Sequence, residues 1–419
     1  MAVPEAHRAI DAVWRIESPR LIAGLARILR GDVGAAEDLA QEALVAALEK
    51  WPQTGVPRNP GAWLMASARN RAIDQLRHRR VAERRHEDLG RELDAGGQAA
   101  VEELDAAIDD DIGDDLLRLI FTACHPVLST EARVALTLRL LGGLTTDEIA
   151  RAFLVPEATV AQRIVRAKKA LADAEVPYEV PRGADRAARL ASVLEVIYLI
   201  FNEGYLATAG DGLVRPGLCE EALRLGRILA ELAPAEPEVH ALVALMELQA
   251  SRLHARMGPS GEAVLLADQD RGRWDQLLIR RGLAALERAE RAGGTPGPYA
   301  LQAAIAACHA RAPTVEETDW PRIAALYGDL ARRTPSPVVE LNRAVAVGMA
   351  LGPAAGLELA DALTSEPALA SYHLLPAVRA DLLARLGRFD EARREFERAA
   401  GLTRNERERR LLLGRAASL

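Results

Sequence analysis

The sequence predicts an all-α protein, from its composition and from its hydrophobic patterning. The 419 residues are rich in Ala, Leu and Arg, which favour helices, and only 4% of them are aromatic. Runs of β-branched residues with a period of two, which would indicate strands, are missing from the sequence. Apolar residues instead recur at spacings of three and four, as they do along one face of a helix.

The N-terminal part, residues 1–86, is predicted to form a small helical domain. An amphipathic helix is expected over residues 36–51, and the Pro- and Gly-rich segment 52–60 predicts a loop. The next helix should begin near Ala62 and end near Arg85, becoming more basic along its length. Seven arginines and two acidic residues between Arg69 and Arg85 give this stretch a local charge of +5.

Residues 87–114 form an acidic segment that predicts a flexible linker. From Glu87 to Asp115, twelve acidic residues stand against the single Arg91, a local charge of −11. This segment more than accounts for the net charge of −7 of the whole chain. Because local charge decides whether a surface attracts phosphate, the acidic total does not exclude nucleic acid as a partner.

A helix-turn-helix is predicted within residues 115–173. Thr145 and Glu148 have the spacing of a capping box at the start of its first helix. Pro156 is expected at the first position of the second helix, where its missing N–H has no helical partner to lose. The second helix then carries one apolar stripe, made of Val160, Ile164, Ala167 and Leu171.

The opposite face of this second helix is polar and basic. It carries Thr159, Gln162, Arg163, Arg166 and Lys169. Such side chains suit the base edges of the major groove and the phosphates of DNA. The alternative interpretation is an ordinary helix pair with a solvated basic face.

After a short linker at residues 174–184, residues 185–419 form a long series of predicted helices. The last of them follow the small/large alternation of a tetratricopeptide (TPR) hairpin, and weaker copies occur around Glu221 to Pro234 and Trp320 to Pro335. The positions that carry this pattern are Ala380, Leu383, Leu386, Gly387, Phe389, Ala392, Phe396 and Ala399. A repeat array would offer a concave surface to a protein or peptide partner. The alternative is an irregular α-bundle.

Several functional classes are disfavoured by the sequence. Cys124, Cys219 and Cys308 are widely separated and form no CxxC pair, so we expect packing roles in a reducing compartment, without metal or cofactor. No apolar stretch is long enough to span a membrane, and we expect a cytoplasmic protein. The motifs of nucleotide-binding loops, hydrolase triads and zinc peptidases are missing from the sequence, so we do not expect an enzyme.

Two separated blocks of sequence resemble one family. Residues 36–42, 59–64 and 68–74 (AEDLAQE, NPGAWL and ARNRAID) resemble region 2 of bacterial sigma factors of the extracytoplasmic-function (ECF) type. The helix-turn-helix resembles region 4 of the same factors, although Pro156 stands where the family often has a Ser cap. The long C-terminal part, with the segment Asp268–Trp274, resembles the subgroup that carries a TPR-type extension.

The resemblance implies a role for the face of the first amphipathic helix that carries Asp38, Gln41 and Glu42. In the family this segment docks on the β′ clamp of core RNA polymerase. Leu39, Ala43 and Leu44 lie on the other side of the helix and are expected in the domain core.

The resemblance also implies two DNA-binding sets. For the −10 promoter element they are Trp63, Arg69, Asn70, Arg71, Arg77, Arg79 and Arg80, with Trp63 either stacking on a base or packing in the core. For the −35 element, base edges are assigned to Thr159, Gln162, Arg163 and Arg166, and phosphates to Lys168 and Lys169.

The sequence therefore predicts a sigma factor that binds core RNA polymerase and promoter DNA, with a C-terminal domain that modulates its activity. Two alternatives stay open: a helix-turn-helix regulator that acts without polymerase, and a TPR scaffold for protein interactions. The segment Asp268–Trp274 is interpreted either as a partner-binding or interdomain element or as a polar interhelical turn with Trp274 buried.

Overall fold

The computed structural model describes residues 3–87, 112–153, 155–205, 215–258, 264–403 and 405–419. Throughout these ranges the chain is built of helices joined by turns, and it contains no β-strand. The predicted all-α class is confirmed. No helix in the described ranges is both long and apolar enough to cross a membrane.

The chain divides into two compact units, residues 1–197 and 198–419. The helices of the first unit are α1 Val3–Ile28, α2 Val33–Thr54, α3 Pro60–Glu87, α4 Ile112–Ala123, α5 Thr130–Leu140, α6 Thr146–Phe153 and α7 Glu157–Asp173, followed by the first part of α8 Gly183–Tyr205. The division lies within α8, C-terminal to the predicted boundary at residue 185. The predicted domain boundaries themselves stay predictions.

In the first unit, α1 packs against α2, α3 and α4. The side of α2 that faces this core carries Leu39, Ala43 and Trp51, which are all buried. Asp32 caps the N-terminus of α2, since its carboxylate accepts a hydrogen bond of 2.9 Å from the Ala35 amide. Of the predicted core residues of α2, Leu39 and Ala43 are buried and Leu44 is partly buried.

Two helix limits in this region differ from the prediction. Helix α2 continues through Pro52 and ends at Thr54, where Gly55 takes a positive φ of 84°. Helix α3 begins at Pro60, because the side chain of Asn59 accepts a hydrogen bond from the Ala62 amide at 3.1 Å. The loop is thus shorter than the predicted segment 52–60.

The segment between α7 and α8 packs on the first unit. The hydroxyl of Tyr178 donates a bifurcated hydrogen bond to the carbonyl oxygens of Ala23 and Asp115, each at 3.0 Å. Arg27 forms an ion pair of 2.8 Å with the buried carboxylate of Asp115. These contacts join α1, α4 and the segment after α7. Most of the predicted acidic linker, residues 88–111, lies outside the described residues.

The second unit continues from the end of α8 with hairpins of helices. They are α9 Pro216–Leu232, α10 Pro237–Ala250, α11 Gln276–Ala292, α12 Pro298–Arg311, α13 Trp320–Arg333, α14 Pro337–Ala350, α15 Pro353–Ala362, α16 Leu374–Arg385, α17 Phe389–Leu402 and α18 Glu406–Ala417. Most consecutive helices in this unit pack against each other. Pro occupies the first turn of six of them (α9, α10 and α12–α15), where it disrupts no helical hydrogen bond.

The hairpin of α16 and α17 has the predicted TPR pattern. Small residues lie at the helix contact and Phe396 fills the space between the helices. Gly387 makes the turn with a φ of 75°, a conformation that favours glycine. Ala380, Leu383, Ala392, Phe396 and Ala399 are all at most 2% exposed. Leu386 and Phe389, in contrast, are 38% and 50% exposed, and Phe389 begins α17 on the surface.

Candidate nucleic-acid interface and acidic helix face

The helix-turn-helix is formed by α6 and α7, which pack against each other. Glu148 and Thr145 make the reciprocal bonds of a capping box: the Thr145 amide donates to Glu148 Oε2 at 2.9 Å, and the Glu148 amide donates to Thr145 Oγ1 at 3.1 Å. The capping box predicted from the sequence is therefore present. Across the turn, the Thr146 hydroxyl donates to Glu157 at 3.0 Å and links the two helices.

Pro156 lies one position earlier than expected. It is the residue before the first helical residue of α7, with a non-helical ψ of 142°, and its side chain can make no capping hydrogen bond. Its carbonyl oxygen accepts from the Thr159 amide at 2.9 Å, so the backbone opens the helix without a side-chain cap.

Helix α7 buries one face and exposes the other, as predicted. The apolar stripe of Val160, Ile164, Ala167 and Leu171 is at most 5% exposed. Of the residues assigned to the −35 element, Gln162, Arg166 and Lys169 are exposed, whereas Thr159, Arg163 and Lys168 are partly buried. The polar face available to DNA therefore centres on Gln162 and Arg166.

Lys168 is engaged by a buried acid. Its Nζ lies 2.6 Å from Glu37 Oε2, and Arg139 Nε lies 2.6 Å from Glu37 Oε1. Glu37 itself is only 3% exposed and belongs to α2. Burial would raise the pKa of the Glu37 carboxyl, but Lys168 and Arg139 together hold it below its usual value. In this structure Lys168 therefore contacts a protein carboxylate, and its assignment to a phosphate stays a prediction.

The acidic face of α2 lies beside this cluster. Asp38 and Glu42 are exposed, and Gln41 is partly buried because its amide donates to Glu37 Oε1 at 2.6 Å. Asp38, Gln41 and Glu42 line one shallow groove together with Val45, Ala46, Glu49 and Arg71. The structure thus brings the three residues assigned to polymerase together on one mostly acidic surface.

The residues assigned to the −10 element all lie on α3, and the first four of them, Trp63, Arg69, Asn70 and Arg71, fall in its first half. Trp63 is partly buried, with its ring centroid 5.4 Å from that of buried Trp51 in an edge-to-face arrangement. Asn70 is exposed and Arg69 is partly buried. Arg71 Nε lies 3.7 Å from Glu42, which joins the predicted DNA face to the acidic face. Arg77, Arg79 and Arg80 belong to α3, but their side chains lie outside the described part of the structure.

Two residues central to this site, Glu37 and Arg139, were missed by the sequence analysis. Glu37 lies on the buried side of α2 with Val33, Ala36 and Ala40. A carboxylate among apolar core positions needs basic partners, since an unpaired buried charge is strongly unfavourable. The position of Glu37 on the apolar side of α2 could therefore have predicted a buried ion pair. Its partners could not have been identified, because Arg139 on α5 and Lys168 on α7 are distant in sequence.

The segment Asp268–Trp274 forms a structural turn. Trp274 is 3% exposed, and the guanidinium of Arg271 donates to the carbonyl oxygens of His309 and Ala312 at 2.9 and 2.6 Å. Arg271 also donates to Thr318 Oγ1 at 2.9 Å. These bonds satisfy carbonyls at the C-terminal end of α12, so the interpretation as a polar turn with Trp274 buried is favoured.

The cysteines lie in apolar or weakly polar surroundings. Burial raises the pKa of Cys124 to about 11 and that of Cys219 to about 12, so both are protonated thiols at neutral pH. Cys124 Sγ lies 3.3 Å from Thr137 Oγ1. Within the described ranges, no three His, Cys, Asp or Glu side chains are grouped to hold a metal ion.

An exposed Gln/Arg helix face on a helix-turn-helix is typical of a DNA-binding protein, and the acidic face of α2 is a second, separate surface. Comparison with known families identifies the protein more closely. Residues 17–81 match the model of sigma-70 region 2, and residues 118–171 match that of sigma-70 region 4. Residues 189–290 match a family of unknown function, DUF6596.

Three known proteins are similar to the chain, and two of them are sigma factors. An uncharacterised protein of Rhizobium meliloti is 46% identical over 400 residues, which span 95% of this chain and 93% of that protein. The ECF RNA polymerase sigma factor SigC of Mycobacterium tuberculosis and the probable RNA polymerase sigma-C factor of Mycobacterium bovis are each 32% identical over 145 residues, which span 34% of this chain and 72% of theirs. No solved structure matches the chain. The chain belongs to the ECF sigma factors of the sigma-70 family.

Proposed function

We propose that the chain binds core RNA polymerase through the acidic face of α2 and reads promoter DNA with α3 and α7. The main support for this proposal is that the first unit exposes two different polar surfaces. Asp38 and Glu42 are exposed on α2, and Gln162 and Arg166 are exposed on α7. Carboxylates suit a basic partner helix, and Gln and Arg suit base edges and phosphates. Both functions need only binding, so we propose no catalytic activity for the chain itself.

The α2 face is tested by measuring affinity for core RNA polymerase. The double variant Asp38→Ala/Glu42→Ala should bind core polymerase at least about tenfold more weakly, since charged contacts at an interface typically carry that much. Asp173→Asn, which removes an exposed charge at the end of α7, is the control and should bind normally. Equal affinities for all three proteins would refute the assignment of α2.

The α7 face is tested separately, in the assembled holoenzyme. Arg163→Ala/Arg166→Ala should abolish promoter selection while leaving polymerase affinity intact, because these side chains are assigned to base edges. Arg182→Ala removes an exposed arginine outside α7 and serves as the control. Tight binding of the free chain to duplex promoter DNA, with no effect of polymerase, would instead support a conventional helix-turn-helix regulator.

We further propose that the second unit modulates transcription by the first. Residues 198–419 form a compact unit with its own buried core, which a passive tail would not need. The truncation should end at Ile197, because Arg133 on α5 bonds with Ser192 and Glu195 of α8 and these contacts belong to the first unit. Residues 1–197 should transcribe from the same promoters at a changed rate. An unchanged rate would refute modulation.

A further inference from the structure

The second unit contains a cavity on the face shared by alternate helices. Helices α12, α14, α16 and α18 each contribute to its wall, together with Trp320 at the start of α13, and such a succession of alternate helices is the arrangement of a concave TPR-like surface. The cavity has a volume of about 320 Å³, at the lower end of the range for small-molecule sites. Most of the lining is aliphatic or aromatic: it includes Leu266, Trp320, Val345, Leu374, Val378 and Leu382.

One wall is made by the chain segment that precedes α11. Leu265, Leu266 and Ala267 line the cavity, and Arg271 fixes this segment through its bonds to the end of α12 and to Thr318. The concave surface is thus partly filled by the protein's own backbone. What remains has the size of a small molecule, which disfavours an extended peptide as the occupant.

The polar groups of the lining carry an excess of positive charge. They comprise Arg271, Arg385 and Arg415 against one acid, Asp381, which pairs with Arg415. Arg385, which is exposed at the edge of the cavity, donates hydrogen bonds to the sulfur of Met349 at 3.1 Å and to the carbonyl of Gly348 at 3.3 Å, and no ion pair joins it to a carboxylate of the described residues. Arginine donates hydrogen bonds but accepts none, so an anion is the natural partner for this surplus.

Two lining residues also have buried nitrogen atoms without a hydrogen-bond partner in the described structure. They are Arg271 Nε, a donor, and His309 Nδ1. Burial and the neighbouring Arg252 and Arg271 lower the pKa of His309 to about 3, so the imidazole is neutral and adds no charge. Unsatisfied buried polar atoms are uncommon and mark places where a ligand can supply the missing bond.

We propose that this cavity binds a small, mainly apolar molecule that carries one anionic group such as a carboxylate. The apolar body lies against the aliphatic wall of α14 and α16, where burial of carbon surface drives binding. The anionic group pairs with the arginines of the lining, and Arg385 is its principal partner. Arg415 already pairs with Asp381, and Arg271 already donates to two carbonyl oxygens at 2.9 and 2.6 Å. Arg385 has only the longer bonds to the Met349 sulfur and the Gly348 carbonyl.

The test measures binding of octanoate to the full chain by titration calorimetry, without polymerase or DNA, so its result is independent of the sigma function. A ligand of about ten heavy atoms should bind with a dissociation constant of about 1 mM or lower. Octan-1-ol, which has the same chain without the charge, should bind at least about tenfold more weakly. Equal binding of the two, or no saturable binding of octanoate, would overturn the proposal.

Three variants locate the site. Arg385→Met should weaken octanoate binding at least about tenfold and leave octan-1-ol binding unchanged. Val345→Trp fills the cavity from α14 and should abolish binding of both, while thermal unfolding checks that it folds. Arg394→Met removes an exposed arginine of α17 outside the cavity and should bind as the parent does. Octanoate binding that survives both Arg385→Met and Val345→Trp lies elsewhere and overturns the assignment.

Discussion

Glu37 links α2 to two other helices, α5 and α7, through ion pairs. It is a buried carboxylate with cations from two other helices, Arg139 and Lys168, each at 2.6 Å. The two basic side chains keep about a fifth of their surface exposed, at 22% and 21%. The cluster therefore combines a buried acid with partners that solvent can still reach.

Removing this carboxylate should destabilise the first unit. Glu37→Gln leaves two cations without their acid, and we expect a loss of about 2–3 kcal/mol in the free energy of unfolding, less than for a fully buried pair. Urea denaturation followed by circular dichroism measures it. Glu42→Gln, on the exposed side of the same helix, should change stability by less than about 0.5 kcal/mol. Equal effects of the two substitutions would contradict the role given to Glu37.

The same residue predicts a pH dependence with a definite sign. The pKa of Glu37 is lowered in the folded state, so its stabilising contribution is complete above the unfolded pKa of about 4.3 and is lost as the pH falls through the lower folded value. The stability difference between the parent and Glu37→Gln should therefore be constant near pH 7 and shrink below about pH 4. A difference that grows on acidification would show that burial, not the cations, controls this group.

At the scale of helices, α14 and α15 approach closely through two glycines. A Cβ on Gly356 would lie 2.7 Å from both the carbonyl oxygen of Ala344 and the Cα of Gly348, distances that real side chains do not tolerate. Both of these contacts are with backbone atoms, so a larger side chain would have to separate the two helices. Small residues are thus a structural requirement of this hairpin.

Gly356→Ala should accordingly destabilise the second unit, by about 2 kcal/mol, through overpacking. Gly401→Ala is the matched control, because a Cβ there meets nothing within 4 Å. Gly401 is also helical, and alanine should be neutral or stabilising by up to about 1 kcal/mol. Thermal unfolding of both variants measures the difference. Similar melting temperatures would contradict the close approach of α14 and α15.

The elements that could be predicted from the sequence are those controlled by neighbouring residues. The capping box of Thr145 and Glu148 and the buried stripe of α7 depend on spacings of three and four, and both are present. The continuation of α2 through Pro52 was missed, because packing of buried Trp51 outweighs the local preference for a break. The contact of Lys168 with Glu37 was missed because it joins distant parts of the chain.

At the scale of the whole molecule, basic and acidic residues are concentrated in different segments of the chain. The basic first part of the chain and the acidic segment that follows it differ in sign, and the net charge of −7 hides both. Promoter binding should follow the local charge and weaken with added salt, because each phosphate that is contacted releases counterions. This charge separation agrees with the chain's place among the sigma factors, which the family comparison shows independently.

The central claim, that the chain directs transcription initiation, is tested most directly by run-off transcription on genomic DNA from the source organism. Core RNA polymerase is assayed with and without the purified full chain, and new transcript ends are mapped. We expect new starts that share two upstream motifs at −35 and −10, and we expect these starts to disappear with the variant Arg163→Ala/Arg166→Ala. No new starts from folded full-length protein, and none from residues 1–197, would contradict this claim.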